Sequence, residues 1–244
     1  TQLMGRINAG EPFEGWSLSR IGTGSAGGQG EQICFQMGQG LESLVCSTQP
    51  ITTNTWHHVV AVYDGSGSSI GMSLWIDGVD VSNRLGDVIN PASGNRGISF
   101  GAYDGQNRFM DGSLSQAFIV DRALTTGEIT GLYGQTVTPA QLDALASWPM
   151  NTGADDVLTD VTTNGYAGAI YGATWSSECP AGTSLGTANN PALDCTDIKT
   201  NSPNAADGSY WIDPDGQGDG DAVKVHCDMT TGGGGWTRIF IATS

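Results

Sequence analysis

Apolar and polar residues alternate in short runs along the first half of the chain, and each run is bounded by Gly, Asn, Asp or Ser. Alternation with a period of two is typical of β-strands that bury one face. Short strands that recur with turn residues between them predict an antiparallel β-sandwich. The predicted strands are Trp16–Ser19, Ile33–Met37, Trp56–Tyr63, Met72–Ile76, Ile98–Phe100 and Leu114–Val120.

Asp-Gly pairs follow three of these strands and predict the turns that end them. The pairs are Asp64-Gly65, Asp77-Gly78 and Asp104-Gly105. Glycine supplies the positive φ that a tight hairpin turn requires. Helical pattern is scarce, and it is confined to residues 121–133 and to the Thr138-Pro139 pair, which reads as a helix start.

The composition is rich in glycine and poor in charge. Gly supplies 37 of 244 residues, about twice the average share, but no G-X-Y period is present, so the chain is not collagenous. Charged residues make up 14% and the formal net charge is −16. That charge repels phosphate and anionic lipid, which argues against nucleic acid and membrane surfaces as partners. Divalent cations and cationic surfaces are compatible with it, and the alternative is that the acidity only keeps the protein in solution.

The five cysteines lack the spacing of a zinc site, so they predict an oxidised, extracellular protein,. Cys34 and Cys46 flank a segment that can fold back on itself, which predicts a hairpin disulfide between them. Cys195 and Cys227 bracket two predicted strands, Ser209–Ile212 and Ala222–His226, and are expected to close a second loop. Cys179 is left unpaired: its partner lies on another chain or outside this sequence, or the thiol is free.

Three ordered stretches within residues 1–176 resemble the laminin-G-like and pentraxin-like branch of the concanavalin-type sandwiches. They are Trp56–Gly65, Leu74–Gly78 and Asp111–Leu124, the last followed by Glu128-Ile129. The resemblance implies a jelly-roll sandwich that binds other molecules. The first strand usual in that family is missing before Thr1, so we expect either an excised segment or an open sheet edge that a neighbouring strand fills.

The C-terminal stretch resembles the start of fibrinogen C-terminal-like domains. The matching motifs are Cys195–Ile198, Asp207–Gly216, Val225–Met229 and Gly233–Thr237. They cover only the beginning of that family's domain, so none of the family's binding residues is carried over to this chain.

Together these observations predict an all-β chain, an antiparallel jelly-roll β-sandwich followed by a small disulfide-bonded α+β fibrinogen-like fragment. We place the sandwich at residues 1–176, a linker at 177–194 and the incomplete fragment at 195–244. The linker is poor in large apolar residues and rich in Ser, Gly, Ala and Asn,.

Calcium is the cofactor that the loops suggest. Calcium binds several converging oxygen ligands, commonly from Asp, Asn and loop carbonyls. Asp160 and Asn164 lie in one acidic loop, and the resemblance to related sandwiches implies that Asp111 or Asp121 completes the site. The alternative is that these side chains form Asx turns with their own backbone.

A second acidic cluster follows the strand that ends at Ile212, but a hairpin turn explains it better than a calcium loop because Lys224 stands where a bidentate Glu is needed,. Its members are Asp213, Asp215, Asp219 and Asp221. Four aromatic residues, Tyr103, Tyr166, Tyr171 and Trp211, either stack on sugars or pack at sheet edges.

No catalytic constellation is evident in the sequence. The six glutamates offer no closely spaced carboxylate pair of the glycosidase kind,. The His57-His58 pair is predicted to lie on a strand, and no serine or cysteine nucleophile is recognisably paired with either ring. We therefore expect no enzymatic activity.

The resulting hypothesis is a secreted, non-catalytic adhesion or matrix module that binds or assembles with extracellular proteins, glycans or copies of itself, without membrane insertion. One alternative is a structural subunit of an extracellular filament or coat, completed by a strand from a neighbour. The other is a calcium-dependent lectin.

Overall fold

The computed structural model of the protein describes residues 2–7, 15–22, 30–38, 43–86, 97–103, 108–134, 136–150, 156–176, 186–187, 191–202, 205–214 and 222–238. The chain forms two compact units. The N-terminal unit contains Thr1–Leu114 and Phe118–Leu145, and the C-terminal unit contains Ser115–Ala117 and Ala146–Ser244. These units divide the chain differently from the predicted boundaries at 176 and 194, which stay predictions.

Each of the six strands predicted in the N-terminal half overlaps an observed strand, whereas four observed strands of that half, Gln2–Ile7, Leu44–Ser47, Val79–Asp80 and Ser82–Leu85, have no predicted counterpart. The strand predicted to start at Trp56 begins only at Val59. The strands are β1 (Gln2–Ile7), β2 (Gly15–Ile21), β3 (Gln32–Met37), β4 (Leu44–Ser47), β5 (Val59–Tyr63), β6 (Met72–Ile76), β7 (Val79–Asp80), β8 (Ser82–Leu85), β9 (Ser99–Phe100) and β10 (Ala117–Ile119).

Two antiparallel sheets make up the N-terminal unit within the described residues. One has the order β8-β4-β3-β2-β1-β9 and the other the order β5-β6-β7. The β6–β7 hairpin turns at Asp77 (φ 52°) and Gly78 (φ 77°), as the Asp-Gly pair predicted,. Two observations explain why residue 78 is glycine. Its φ is positive, and a Cβ there would lie 2.9 Å from Cδ1 of Tyr133.

The core of this unit is an apolar layer to which both sheets contribute. Ile33, Phe35 and Val45 come from the larger sheet, and Met72 and Leu74 come from β6; each is at most 6% exposed. Alternate residues of a strand point to one face, so the alternation of the sequence places these side chains together. This packing is the antiparallel β-sandwich of concanavalin type that the sequence predicted.

The disulfide Cys34–Cys46 lies on the opposite face of the larger sheet. The two cysteines are direct cross-strand partners in the β3–β4 pairing. With Leu44 they form a second small buried cluster, against which Ile21 and Leu85 pack. The disulfide therefore joins two strands whose other face supports the main core.

The first segment of the chain is not an edge of its sheet. β1 pairs with β2 on one side and with β9 on the other. Within the described residues the sheet ends on that side at β9, which has two residues. The open edge predicted at the chain start is therefore wrong for β1.

The helix α1 (Thr126–Tyr133) lies within residues 121–133, where the sequence predicted helical turns. Thr125 and Glu128 form a capping box, which satisfies backbone N–H groups at the helix start,. The bidentate contact with Arg122, followed by the bonds from Thr125, lowers the pKa of Glu128 to about 2.

Among the described residues, no helix is long and apolar enough to cross a membrane.

The C-terminal unit has shorter elements and a smaller core. They are β11 (Ala146–Trp148), β12 (Val157–Leu158), β13 (Gly168–Ala169), α2 (Cys195–Asn201), β14 (Gly208–Ile212), β15 (Val223–Asp228) and β16 (Trp236–Arg238). β12 and β13 form an antiparallel ribbon, and β14, β15 and β16 form an antiparallel sheet. Ile198, Ile212 and Met229 pack around the disulfide Cys195–Cys227.

The sandwich core predicts which substitutions destabilise the N-terminal unit. Leu74→Ala removes a side chain that is 0% exposed and is expected to lower the free energy of unfolding by about 2–5 kcal/mol through lost burial and a residual cavity. Urea unfolding measures this change. Ile70→Ala is the matched control, because Ile70 is 81% exposed and its truncation should change stability by no more than about 0.5 kcal/mol. Equal losses for both variants would contradict the assigned core.

Candidate functional site

Asp160 is a buried carboxylate that holds together the loop after β12. Its Oδ1 accepts hydrogen bonds from the backbone N–H groups of Ser147 (2.9 Å) and Thr162 (3.0 Å). Its Oδ2 accepts from the Thr162 hydroxyl (2.9 Å) and from the backbone N–H of Tyr166 (2.8 Å). Trp148 closes the same loop, since its indole N–H donates to the Tyr166 carbonyl at 2.8 Å.

The hydrogen bonds of this loop favour the ionised form of Asp160. Burial raises its pKa, but the donors from Ser147, Thr162 and Tyr166 outweigh that effect and bring the pKa of Asp160 to about 2,. The carboxylate is thus charged over almost the whole pH range, and its charge is neutralised by N–H and O–H dipoles.

The residues of the predicted calcium site are divided between the two units. Asn164 lies in the same loop, and its backbone N–H donates to the Thr162 hydroxyl at 3.3 Å. Asp111 and Asp121 belong to the N-terminal unit. In the part of the chain that the structure describes, no group of three or more His, Cys, Asp or Glu side chains is placed to hold a metal ion.

The geometry of Asp160 matches the Asx-turn alternative of the sequence analysis. Each oxygen of this carboxylate accepts two hydrogen bonds, three of the four from backbone N–H groups and one from the Thr162 hydroxyl, so its lone pairs are directed at the protein itself. Calcium at this loop stays a prediction.

The remaining candidate residues from the sequence are the second acidic cluster, Cys179 and the four aromatic residues. Asp213 is 3% exposed, whereas Asp215, Asp219, Asp221 and Cys179 lie outside the described residues. Of the four aromatic candidates, Tyr166 is 53% and Tyr171 is 90% exposed. The ring of Tyr103 lies 4.7 Å from the guanidinium carbon of Arg108, and Trp211 is half-buried in β14.

A hydrogen-bonded chain of three side chains lies at one end of the β5–β6 pair. His57 Nδ1 lies 2.7 Å from Asp77 Oδ2, and His57 Nε2 lies 2.8 Å from the Thr52 hydroxyl oxygen and 3.2 Å from the Thr52 carbonyl oxygen. The other oxygen of Asp77 accepts the backbone N–H of His58 at 2.9 Å. The carboxylate is therefore fixed from two sides.

His58 has a different environment from His57. Its ring packs against Tyr133, with 6.1 Å between the ring centroids. Burial lowers the pKa of His58, and the Asp77 charge offsets this only in part,. His58 is accordingly a neutral packing residue.

A cleft opens beside His57, with a volume of about 210 Å³. Its walls include the polar residues Thr48, Gln49 and Thr52 and the apolar residues Ile51 and Val81. The hydroxyl beside His57 belongs to a threonine, so a pattern of serine or cysteine near histidine does not reveal it. The signal was present as the threonine run before Trp56.

Carboxylates also hold the turns around the second disulfide. Asp194 caps α2 by accepting the Asp197 N–H at 2.7 Å. Asp207 accepts the Met229 N–H at 2.7 Å, and Asp228 accepts the Thr231 N–H at 2.8 Å. The small C-terminal sheet is therefore tied together by side chains that bind backbone.

Two family models match the chain. The model described as the concanavalin A-like lectin/glucanases superfamily matches residues 7–130, just over half of the chain. A model of the fibrillar collagen C-terminal domain matches residues 180–237. The family found for that second region therefore differs from the fibrinogen C-terminal-like family that its motifs resemble.

Two curated relatives are similar to this chain over a short stretch. Collagen EMF1-alpha of Ephydatia muelleri is 49% identical over 47 residues, which are 19% of this chain and 9% of that protein. The collagen alpha-2(I) chain of Oryctolagus cuniculus is 45% identical over 47 residues, again 19% of this chain and 9% of that protein. The chain thus spans only a small part of these relatives. No solved structure matches it at a significant level.

The Asp160 loop predicts a pH-dependent contribution to stability. Since the pKa of about 2 lies below the usual 3.8, the stabilisation is present above about pH 4 and is lost as the pH falls towards 2. Asp160→Asn is expected to lower the free energy of unfolding by about 2 kcal/mol at neutral pH and by much less near pH 2. Urea unfolding followed by tryptophan fluorescence measures both differences.

Asp156→Asn serves as the control, because its side chain is exposed. This variant should behave like the native protein at both pH values. A loss for Asp160→Asn that is equally large at both pH values would contradict the assigned role of the charge.

Proposed function

The chain belongs to the concanavalin A-like lectin/glucanases superfamily, and we propose that it serves as a secreted, non-catalytic matrix module that binds or assembles with extracellular proteins or glycans. The observation that carries the proposal is the combination found in one chain. A concanavalin-like sandwich is followed by a region that matches the fibrillar collagen C-terminal domain. Both families are extracellular or matrix-associated folds, which supports an extracellular location.

The covalent and electrostatic character of the chain supports this proposal. Each unit contains one disulfide, Cys34–Cys46 or Cys195–Cys227, and disulfides persist in oxidising, extracellular compartments. Charged residues make up only 14% of the chain and are mostly acidic, which leaves a surface that is largely polar, with few charges and an acidic bias. Such a surface suits contacts through hydrogen bonds and exposed aromatic rings.

Self-assembly is the second candidate, because the β12–β13 ribbon carries an exposed apolar face. Val157 is paired with Ala169 across the ribbon, so their side chains lie on one face. Tyr171 follows two positions after Ala169, just past the end of β13. Val157 is 49% and Tyr171 is 90% exposed. Large apolar side chains exposed near one another in the chain are candidates for an interaction site.

Binding and self-association are tested together. Sedimentation velocity over a concentration series measures self-association, and surface-immobilised chain is probed with a glycan array and with a triple-helical collagen peptide. We expect saturable binding to at least one probe or reversible self-association. In the second case Tyr171→Ser should weaken association at least about fivefold, because buried aromatic anchors contribute most of the energy of an interface.

Ile70→Ser is the matched control, because Ile70 is also largely exposed but belongs to the N-terminal unit. It should leave association unchanged. A chain that stays monomeric and binds neither probe would contradict the proposed function. If Tyr171→Ser leaves self-association unchanged, the interface does not include the β12–β13 ribbon.

A further inference from the structure

We propose that Thr52 is a covalent attachment point, whose hydroxyl, activated by His57 and Asp77, takes an acyl group from an active carboxylic ester or thioester. This inference goes beyond the proposed function and does not rest on it. Thr52 is acylated once and keeps the acyl group, so the module is not a catalyst with repeated turnover.

The first support is the geometry of the three side chains. A nucleophilic hydroxyl, an imidazole and a carboxylate are linked in sequence by contacts of 2.8 Å (Thr52 to His57) and 2.7 Å (His57 to Asp77). Nucleophile-to-base and base-to-orienting-group contacts of this length are a signature of an activated nucleophile and recur on unrelated folds. The arrangement is recognised by these roles and not by sequence order.

The second support is the fixed position of Asp77. Its backbone N–H donates to the His58 carbonyl at 2.8 Å, and its Oδ1 accepts the His58 N–H at 2.9 Å. Both backbone groups of His58 are therefore bonded to Asp77, which leaves Oδ2 directed at His57 Nδ1. A carboxylate held in this way fixes the imidazole tautomer, with the proton on Nδ1 and the lone pair on Nε2 facing Thr52.

The protonation state of His57 decides what the hydroxyl does. When the ring is neutral, with its proton on Nδ1, Nε2 accepts the hydroxyl proton of Thr52. When the ring is charged, Nε2–H instead donates to the Thr52 hydroxyl at 2.8 Å and to the carbonyl at 3.2 Å,. The neutral ring is therefore the form that activates Thr52.

The third support is access. Thr52 is exposed, whereas the His57 side chain is 14% exposed. Both residues line the cleft of about 210 Å³, whose apolar wall is formed by Ile51, Ile76 and Val81. A cleft of this size with an apolar wall suits a short acyl chain beside the hydroxyl.

The acyl transfer needs only the Thr52 hydroxyl, the His57 imidazole and the acyl donor. The Thr52 oxygen forms a bond to the acyl carbon while His57 Nε2 takes the hydroxyl proton. The bond from the acyl carbon to the leaving oxygen or sulfur then breaks with its electron pair, and the leaving group receives the proton from the imidazolium. The products are an ester on Thr52 and a free alcohol or thiol.

The test uses p-nitrophenyl acetate as the acyl donor. The native chain is expected to release one equivalent of nitrophenolate per chain and to gain the mass of one acetyl group, which peptide mapping places at Thr52. Thr52→Ala should abolish the modification, and Thr52→Ser should retain it within about tenfold in rate. His57→Gln should slow it by about a hundredfold or more, because the general base is removed.

Thr53→Ala is the matched control, because Thr53 is an exposed neighbour that does not line the cleft. It should acylate like the native chain. Asp77→Asn, tested as a positioning residue, should shift the pH at which the rate is half-maximal, which a purely structural role would leave unmoved. Thermal unfolding of each variant confirms that the sandwich remains folded.

Three results would overturn the proposal. One is the absence of acetylation above that of the Thr52→Ala chain. Another is acetylation of Thr52 and Thr53 at similar rates, which would indicate an ordinary hydroxyl. The third is acylation that depends on His57 but persists in Thr52→Ala, which would make the imidazole itself the nucleophile.

Discussion

The apolar layer between the two sheets of the N-terminal unit sets the positions of everything else in that unit. Met72 and Leu74 on β6 face the larger sheet, and a slip of β5 by one residue would turn its own core-facing side chains away from this layer. The register pairs Val59 with Ile76. Asp77, the next residue after β6, therefore meets His58, the residue before β5.

The strands were predictable from sequence because half-buried strands leave a local signal. The alternation that ends at Tyr63 or Ile76 needs no knowledge of distant residues, and Asp77-Gly78 marks its turn directly. The contact of Thr52, His57 and Asp77 was not predictable in the same way. It spans residues 52–77 and exists only because the sheet register brings the two ends together.

The helix α2 was missed for a different reason. Its start at Cys195 was interpreted as the beginning of a disulfide-bonded unit, and a helix of seven residues has too few turns for a periodic pattern,. The local signal was Asp194 followed by Asp197, since an acceptor at the N-cap and an acid in the first turn indicate a helix start. Capping residues thus carried information that hydrophobic periodicity did not.

Acidic loops were interpreted as cation sites because sequence alone counts carboxylates and does not show what they accept. Asp160 and Asp228 each accept donors from the backbone of their own turn, and Asp207 accepts the Met229 N–H across the sheet. N–H groups directed at a carboxylate present the positive ends of their dipoles, so a cation could take the same lone pairs only if the loop released them. In a unit with a small core, these bonds and the Cys195–Cys227 disulfide supply the order that apolar burial supplies in the sandwich. The excess of aspartate in this glycine-rich chain is therefore explained, at these positions, by the need to hold loops in place.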